Sequence, residues 1–224
     1  MSNSDKTAPS KEQTSLAELP IDQLSFLDLL YAVPVADLAM RVSGAELHRV
    51  SLTDWLALAV ILAVIVLSWI GLHKNRAAMA TKIDRNLIGQ IDFLQPRFIQ
   101  FLIEVIIVCL YFAMGLELKF PTSQNPAVPA APEEWITGIL VLIFAAYIVW
   151  DLIDIWQAQG ATWCNQAKAG ARVTFVFLIL SAGIYLIALL TNPRTGGPVA
   201  LLNIGLLVFL WAYRVAQDKC GNTR

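Results

Sequence analysis

Six apolar stretches, each close to the length that crosses a bilayer, alternate with polar connections along the chain. A helix needs about 20 consecutive apolar residues to span the hydrocarbon core. The pattern therefore predicts six transmembrane helices and no separate soluble domain. Their approximate bounds are 24–40, 51–72, 98–118, 135–156, 173–190 and 199–216.

The first stretch is the least apolar of the six, because it contains Asp28, Pro34 and Asp37. We expect Pro34 to bend this helix, since a proline removes one backbone hydrogen bond. Asp37 precedes Arg41 by four residues, a spacing that places both side chains on one helix face. An ion pair between them is the simplest explanation for an acid at this position.

The lysines and arginines of the connections predict the orientation. With six spans and an inner N-terminus, 12 of the 16 basic residues fall on the cytoplasmic side, as the positive-inside rule requires. The predicted fold is all-α: a polytopic membrane protein with six transmembrane helices and with both termini cytoplasmic. We divide it into a disordered tail at 1–23, a membrane domain at 24–217 and a second tail at 218–224, and we expect no cleavable signal peptide.

Composition supports this class and excludes several others. Hydrophobic residues make up 57% of the chain and charged residues 15%, against about 25% charged in soluble domains. The net charge of −1 gives no reason to expect nucleic acid. Three cysteines without a CxxC pair predict neither a disulfide scaffold nor a zinc site. Dinucleotide, P-loop, zinc-protease and nucleophile-elbow motifs are absent, so we predict no enzyme and no cofactor.

Three connections have expected structures of their own. The proline-rich outer segment 121–134 should be extended. The inner connection 73–97 carries much of the basic charge, and its part 86–97 can form a short interfacial helix. Segment 191–198 is typical of a tight turn. We find no internal repeat that relates the two halves of the chain.

Acidic side chains inside the apolar stretches are the main functional signal, because an ionisable group at the bilayer centre costs about 2.5–3.5 kcal/mol on insertion scales. No lysine lies well inside any stretch, so the interior favours a cation or a proton over an anion. We expect these acids to form one polar network near the inner surface. The network either has a role in function or only holds the helices together. Its predicted members are Asp28, His73, Glu104, Asp151, Asp154 and Arg214.

Two short motifs resemble a known family. The first helix reads Phe26-Leu27-Asp28-Leu29-Leu30-Tyr31-Ala32-Val33, and the second ends Ser68-Trp69-Ile70-Gly71-Leu72-His73. Together they resemble the Phe-Ser-Asp and Trp-x-x-His-His signatures of the bacterial transmembrane-protein-175-like potassium channels. The Phe-x-Asp opening is more weakly similar to the low-temperature-requirement A membrane proteins. The chain departs from the channel signatures at Leu27 and Leu72.

The resemblance implies a supporting network in which Phe26, Asp28, Trp69 and His73 contact one another and hold the first helix. It also implies that this helix lines the pore of an oligomer, with hydrophobic residues forming the constriction. Tyr31 occupies the aromatic position of the motif. Leu27, Leu30, Val33 and Leu38 are the candidates to face such a pore.

The sequence therefore predicts an oligomeric, potassium-like monovalent-cation channel of a bacterial inner membrane. Its expected partners are the lipid bilayer, monovalent cations and further copies of the chain. A second hypothesis is a scaffold or sensor subunit of a hetero-complex that transports nothing and uses segment 73–97 for its partner. A third is a proton-coupled secondary transporter, which the missing internal repeat disfavours.

Overall fold

A computed structural model describes residues 21–80, 96–123, 133–158, 161–191 and 197–221. Within these ranges the regular structure is entirely helical, which confirms the predicted all-α class. A short 3₁₀ turn at Leu47–Arg49 joins the first two helices. The helices are α1 (Ile21–Ser43), α2 (Leu52–Ala80), α3 (Pro96–Leu116), α4 (Glu133–Gln157), α5 (Ala161–Thr191) and α6 (Gly197–Gly221).

Five of these helices, α2 to α6, are long and apolar enough to cross a bilayer. Large apolar side chains cover their outward surfaces, among them Leu190, Leu201 and Trp156. Contiguous apolar surface of this extent is rare on a soluble monomer, whereas hydrocarbon solvates it well. The fold thus has the character of an integral membrane protein. The remaining helix, α1, is not among these five; it is 23 residues long and includes Asp28 and Asp37.

Several helices extend beyond the apolar stretches that predicted them. α2 continues to Ala80, α5 already begins at Ala161, and α6 runs to Gly221. The added segments are rich in Ala, Lys, Gln and Arg, which favour helix without being apolar. Hydropathy therefore located the apolar parts of the helices but not the helix ends. The segments 1–20, 81–95, 124–132, 159–160, 192–196 and 222–224 lie outside the described residues. They include most of the expected interfacial helix, outer loop and tails.

The core lies where α2, α3, α4 and α6 meet. Fully buried side chains from these helices include Ile61, Tyr111, Phe144 and Leu206. α4 packs most extensively against α5, while α2 packs against α6. This arrangement buries the middle of α2 and leaves α5 mostly exposed at the periphery.

α1 packs on α2 and α3 at one side of the bundle. It buries Tyr31, Pro34 and Leu38, whose spacing of three and four residues forms one helix face. Leu38 fits against Gly115 of α3, where an added Cβ would lie 3.3 Å from Leu38 Cδ2. The opposite face of α1, which includes Val33, is exposed.

Polar contacts fix the C-terminal end of α1 and the N-terminal end of α2. Arg41 Nε donates to Asp37 Oδ2 at 2.7 Å, which confirms the predicted ion pair, and Arg41 Nη1 donates to the Leu116 carbonyl at 3.2 Å. Ser51 and Asp54 form a reciprocal cap at the start of α2: the Ser51 hydroxyl donates to Asp54 Oδ2 at 2.6 Å, and the Asp54 amide donates to Ser51 Oγ at 3.2 Å.

Candidate functional site

Asp28 of α1 joins two side chains of α2. Trp69 Nε1 donates to Asp28 Oδ1 at 2.9 Å, and His73 Nε2 lies 3.2 Å from the same oxygen. Trp69 and His73 are four residues apart, so they share a helix face, and their ring centroids are 4.3 Å apart. We call these three residues the Asp28 cluster. Phe26 belongs to α1, but its side chain is outside the described part of the structure.

The histidine of the Asp28 cluster has an acceptor at each ring nitrogen. Nδ1 lies 3.1 Å from the Trp69 carbonyl oxygen, while Nε2 faces Asp28. The Asp28 and His73 side chains are 45% and 32% exposed, so water weakens their attraction. The cluster is therefore better suited to orienting α1 than to stabilising the fold strongly.

A chain of four hydroxyl groups crosses the bundle next to the Asp28 cluster. Tyr147 OH donates to Ser68 Oγ at 2.6 Å, and Tyr31 OH lies 3.3 Å from the same oxygen. The hydroxyls of Tyr111 and Tyr147 are 2.9 Å apart. We call these four residues the hydroxyl chain. It connects α1, α2, α3 and α4 through side chains that are largely buried.

The hydroxyl chain and the Asp28 cluster hold the same interface. Tyr31 follows Asp28 by three residues, which corresponds to about 4.5 Å along α1, and Ser68 directly precedes Trp69. α1 is consequently attached to α2 at two successive levels. Because both attachments leave from one side of α1, they also fix how the helix is rotated about its own axis.

A second polar group joins α3 to α4. Gln100 Nε2 donates to Asp154 Oδ1 at 2.6 Å, and Gln157 Nε2 donates to Gln100 Oε1 at 3.3 Å. Glu104, one turn further along α3, is 2% exposed and acts electrostatically on Tyr31. These contacts place two of the predicted acids between α3 and its neighbours.

A third polar group lies between α5 and α6. Gln217 Nε2 donates to Thr174 Oγ1 at 2.9 Å, and Asp151 of α4 interacts with the same threonine. Arg214 pairs with Asp218 on its own helix at 3.5 Å. Its guanidinium also lies against α2, where a Cβ added to Gly71 would be 2.8 Å from Nη1.

The predicted acids lie on the same side of the hydroxyl chain, and the single network that we expected of them stays a prediction. Asp151 follows Tyr147 by four residues and Glu104 precedes Tyr111 by seven, so they lie about 6 and 10 Å from that chain along their helices. Their described contacts nevertheless divide into three groups at different helix interfaces.

The four candidates to face a pore differ in accessibility. Val33 is 50% exposed, Leu30 is half-buried against the core, and Leu38 is 3% exposed. The expectation that Leu38 faces a pore is therefore wrong, because this side chain packs into the space beside Gly115. The side chain of Leu27 is outside the described part of the structure. Val33 is therefore the most exposed of the three candidates whose side chains are described.

Sequence reasoning missed two polar features. Ser68, Tyr111 and Tyr147 complete the hydroxyl chain, and their recurrence inside apolar stretches was a usable signal. Glu133 and Asn203 form a buried pair at the opposite end of the bundle, joined by a hydrogen bond of 3.0 Å. Glu133 directly follows a proline-rich connection, so nothing in the sequence distinguished it from a solvated loop residue.

The described residues contain no group of three or more His, Cys, Asp or Glu side chains that could hold a metal ion. Comparison with family models, with curated proteins and with solved structures finds no match. We therefore infer function from the geometry of the three polar groups and from the two sequence motifs.

Proposed function

We propose that this chain is a subunit of a homo-oligomeric monovalent-cation channel, with α1 lining a pore shared between subunits. In this arrangement all six helices cross a bacterial inner membrane and both termini are cytoplasmic. The proposal combines the resemblance of the first two helices to potassium channels with the way α1 is attached to the bundle.

The attachment of α1 is the observation that carries the proposal. One face is tied to α2 and α3 by the Asp28 cluster, the hydroxyl chain and the buried Leu38. The other face exposes Leu29, Val33 and Met40. A helix held this rigidly on one side presents a defined apolar surface on the other, as a pore with a hydrophobic constriction requires.

The charge distribution supports a cation as the transported species. Asp28, Glu104, Asp151 and Asp154 all lie on the same side of the hydroxyl chain. Negative charge on one side of the protein raises the local concentration of cations and lowers that of anions. Potassium is the first ion to test, because the two motifs are similar to those of potassium channels.

Flux through purified protein in liposomes tests the proposal. Protein reconstituted under a potassium gradient should dissipate that gradient, and chloride should not replace potassium as the permeant ion. Chemical cross-linking of the same sample should yield an oligomer of this chain alone. Intact gradients in liposomes that hold folded oligomer would refute the channel. A stable complex with another protein in native membranes would instead support the scaffold hypothesis.

A further inference from the structure

Glu133 and Asn203 form a closed polar pair at the end of the bundle that lies opposite the Asp28 cluster. Glu133 is the first residue of α4, and Asn203 lies in the second turn of α6. The two residues are 2% and 0% exposed. Asn203 Nδ2 donates to Glu133 Oε1 at 3.0 Å. The pair is therefore deeply buried, although it lies at the start of a helix that follows a polar connection.

One oxygen of each group has no hydrogen-bond donor among the described residues. These oxygens are Glu133 Oε2 and Asn203 Oδ1. Each is bonded to the same carbon as the atom that makes the 3.0 Å hydrogen bond, so a carboxyl group and an amide group that pair side by side bring these two oxygens together. Two buried acceptors in this position lack a donor, and a buried acceptor without one is strongly disfavoured.

The surrounding charges disfavour an ionised Glu133. Asp54 of α2 and Glu134 of α4 are the titratable groups that act on it electrostatically, and both carry carboxylates. A buried carboxylate needs an opposite charge or several donors, whereas Glu133 receives a single amide hydrogen bond from Asn203. The Asp54 carboxylate, in contrast, already accepts the hydroxyl of Ser51.

From this juxtaposition we propose that Glu133 and Asn203 form a proton-binding site. A proton taken from hydronium is carried on Glu133 Oε2, and this O–H donates to Asn203 Oδ1 while Asn203 Nδ2 donates to Glu133 Oε1. One proton thus removes the buried charge and supplies the missing donor to both unpartnered oxygens. The site is complete within a single chain, so it does not depend on the proposed assembly of subunits into a channel.

Infrared spectroscopy detects this proton directly. pH-induced difference spectra of the purified protein in nanodiscs should contain the carbonyl stretch of a protonated carboxylic acid. The band should be absent from Glu133→Gln and shifted in Asn203→Leu, which removes the hydrogen-bonding amide. Glu134→Gln, the same change at the neighbouring and less buried residue, should retain it. A band that persists in Glu133→Gln would overturn the assignment.

Thermal unfolding separates a proton from a metal cation at the same oxygens. Glu133→Gln provides a permanent N–H donor to Asn203 Oδ1, so its Tm should match that of the wild type at low pH, where Glu133 carries its proton. Its Tm should exceed that of the wild type at high pH, where the wild type loses this donor. A lower Tm for Glu133→Gln across the pH range would contradict proton binding. A rise in wild-type Tm with Na⁺ or K⁺ at fixed ionic strength, absent in Glu133→Gln, would likewise replace the proton with a metal ion.

Discussion

The hydroxyl chain makes a quantitative prediction through Tyr147→Phe. This change deletes one oxygen while keeping the aromatic ring, which stacks on Tyr213 with a centroid separation of 6.2 Å. It removes the 2.6 Å hydrogen bond to Ser68 and the 2.9 Å contact with Tyr111. Hydrogen bonds between membrane helices contribute about 0.6 kcal/mol on average and about 1.7 kcal/mol at most. Two of them give an expected loss of about 1–3 kcal/mol.

Reversible unfolding in mixed micelles, followed by circular dichroism, measures this loss. Tyr185→Phe is the matched control, because the Tyr185 ring lies against Gly138 and its hydroxyl makes no hydrogen bond among the described residues. The control should unfold like the wild type. The reasoning is refuted if Tyr147→Phe also unfolds like the wild type, or if Tyr147→Phe and Tyr185→Phe are destabilised equally.

Two further predictions concern the attachment of α1. Asp28→Asn keeps an acceptor for the Trp69 indole and should change the free energy of unfolding little. Asp28→Leu removes the acceptor and should lower the free energy of unfolding by about 1 kcal/mol. Equal stabilities of the two variants in the same assay would argue against the contact. Gly115→Leu forces atoms into the space of the buried Leu38 and should destabilise the fold by about 1–3 kcal/mol. Gly183→Leu is the control and should not destabilise the fold, because no atom lies within 4 Å of a Cβ added at this glycine. A Gly115→Leu variant as stable as the wild type would show that α1 is packed elsewhere.

Hydropathy predicted the helical class and the approximate positions of the apolar segments because a bilayer imposes a fixed length on them. The ion pair of Asp37 with Arg41 was also accessible, since both residues belong to one helix and their spacing determines the contact. The meeting of Asp28 with Trp69 and His73 followed from the channel-like motifs rather than from spacing. Contacts within a helix, or within a recognised motif, are the ones that a sequence specifies most directly.

Contacts between distant helices were not predictable in the same way. Asp154 binds Gln100 and Asp151 interacts with Thr174, although the pattern suggested that these acids form one network. Which helices become neighbours depends on how all apolar surfaces pack together, and no periodicity in one segment contains that information. Glu133 was overlooked for the same reason, because its burial depends on the position of α6.

Accessibility of a cysteine at position 33 tests most directly whether α1 lines a pore. In a background with Cys109, Cys164 and Cys220 replaced by Ser, Val33→Cys is compared with Val176→Cys on α5. The two valines are 50% and 52% exposed in the single chain. A difference in their accessibility to water can therefore arise only from the way the subunits assemble. A charged, water-soluble thiol reagent should modify Val33→Cys and block potassium flux in liposomes, and it should leave Val176→Cys unmodified and conducting. Equal protection of both cysteines in conducting protein would contradict a pore lined by α1.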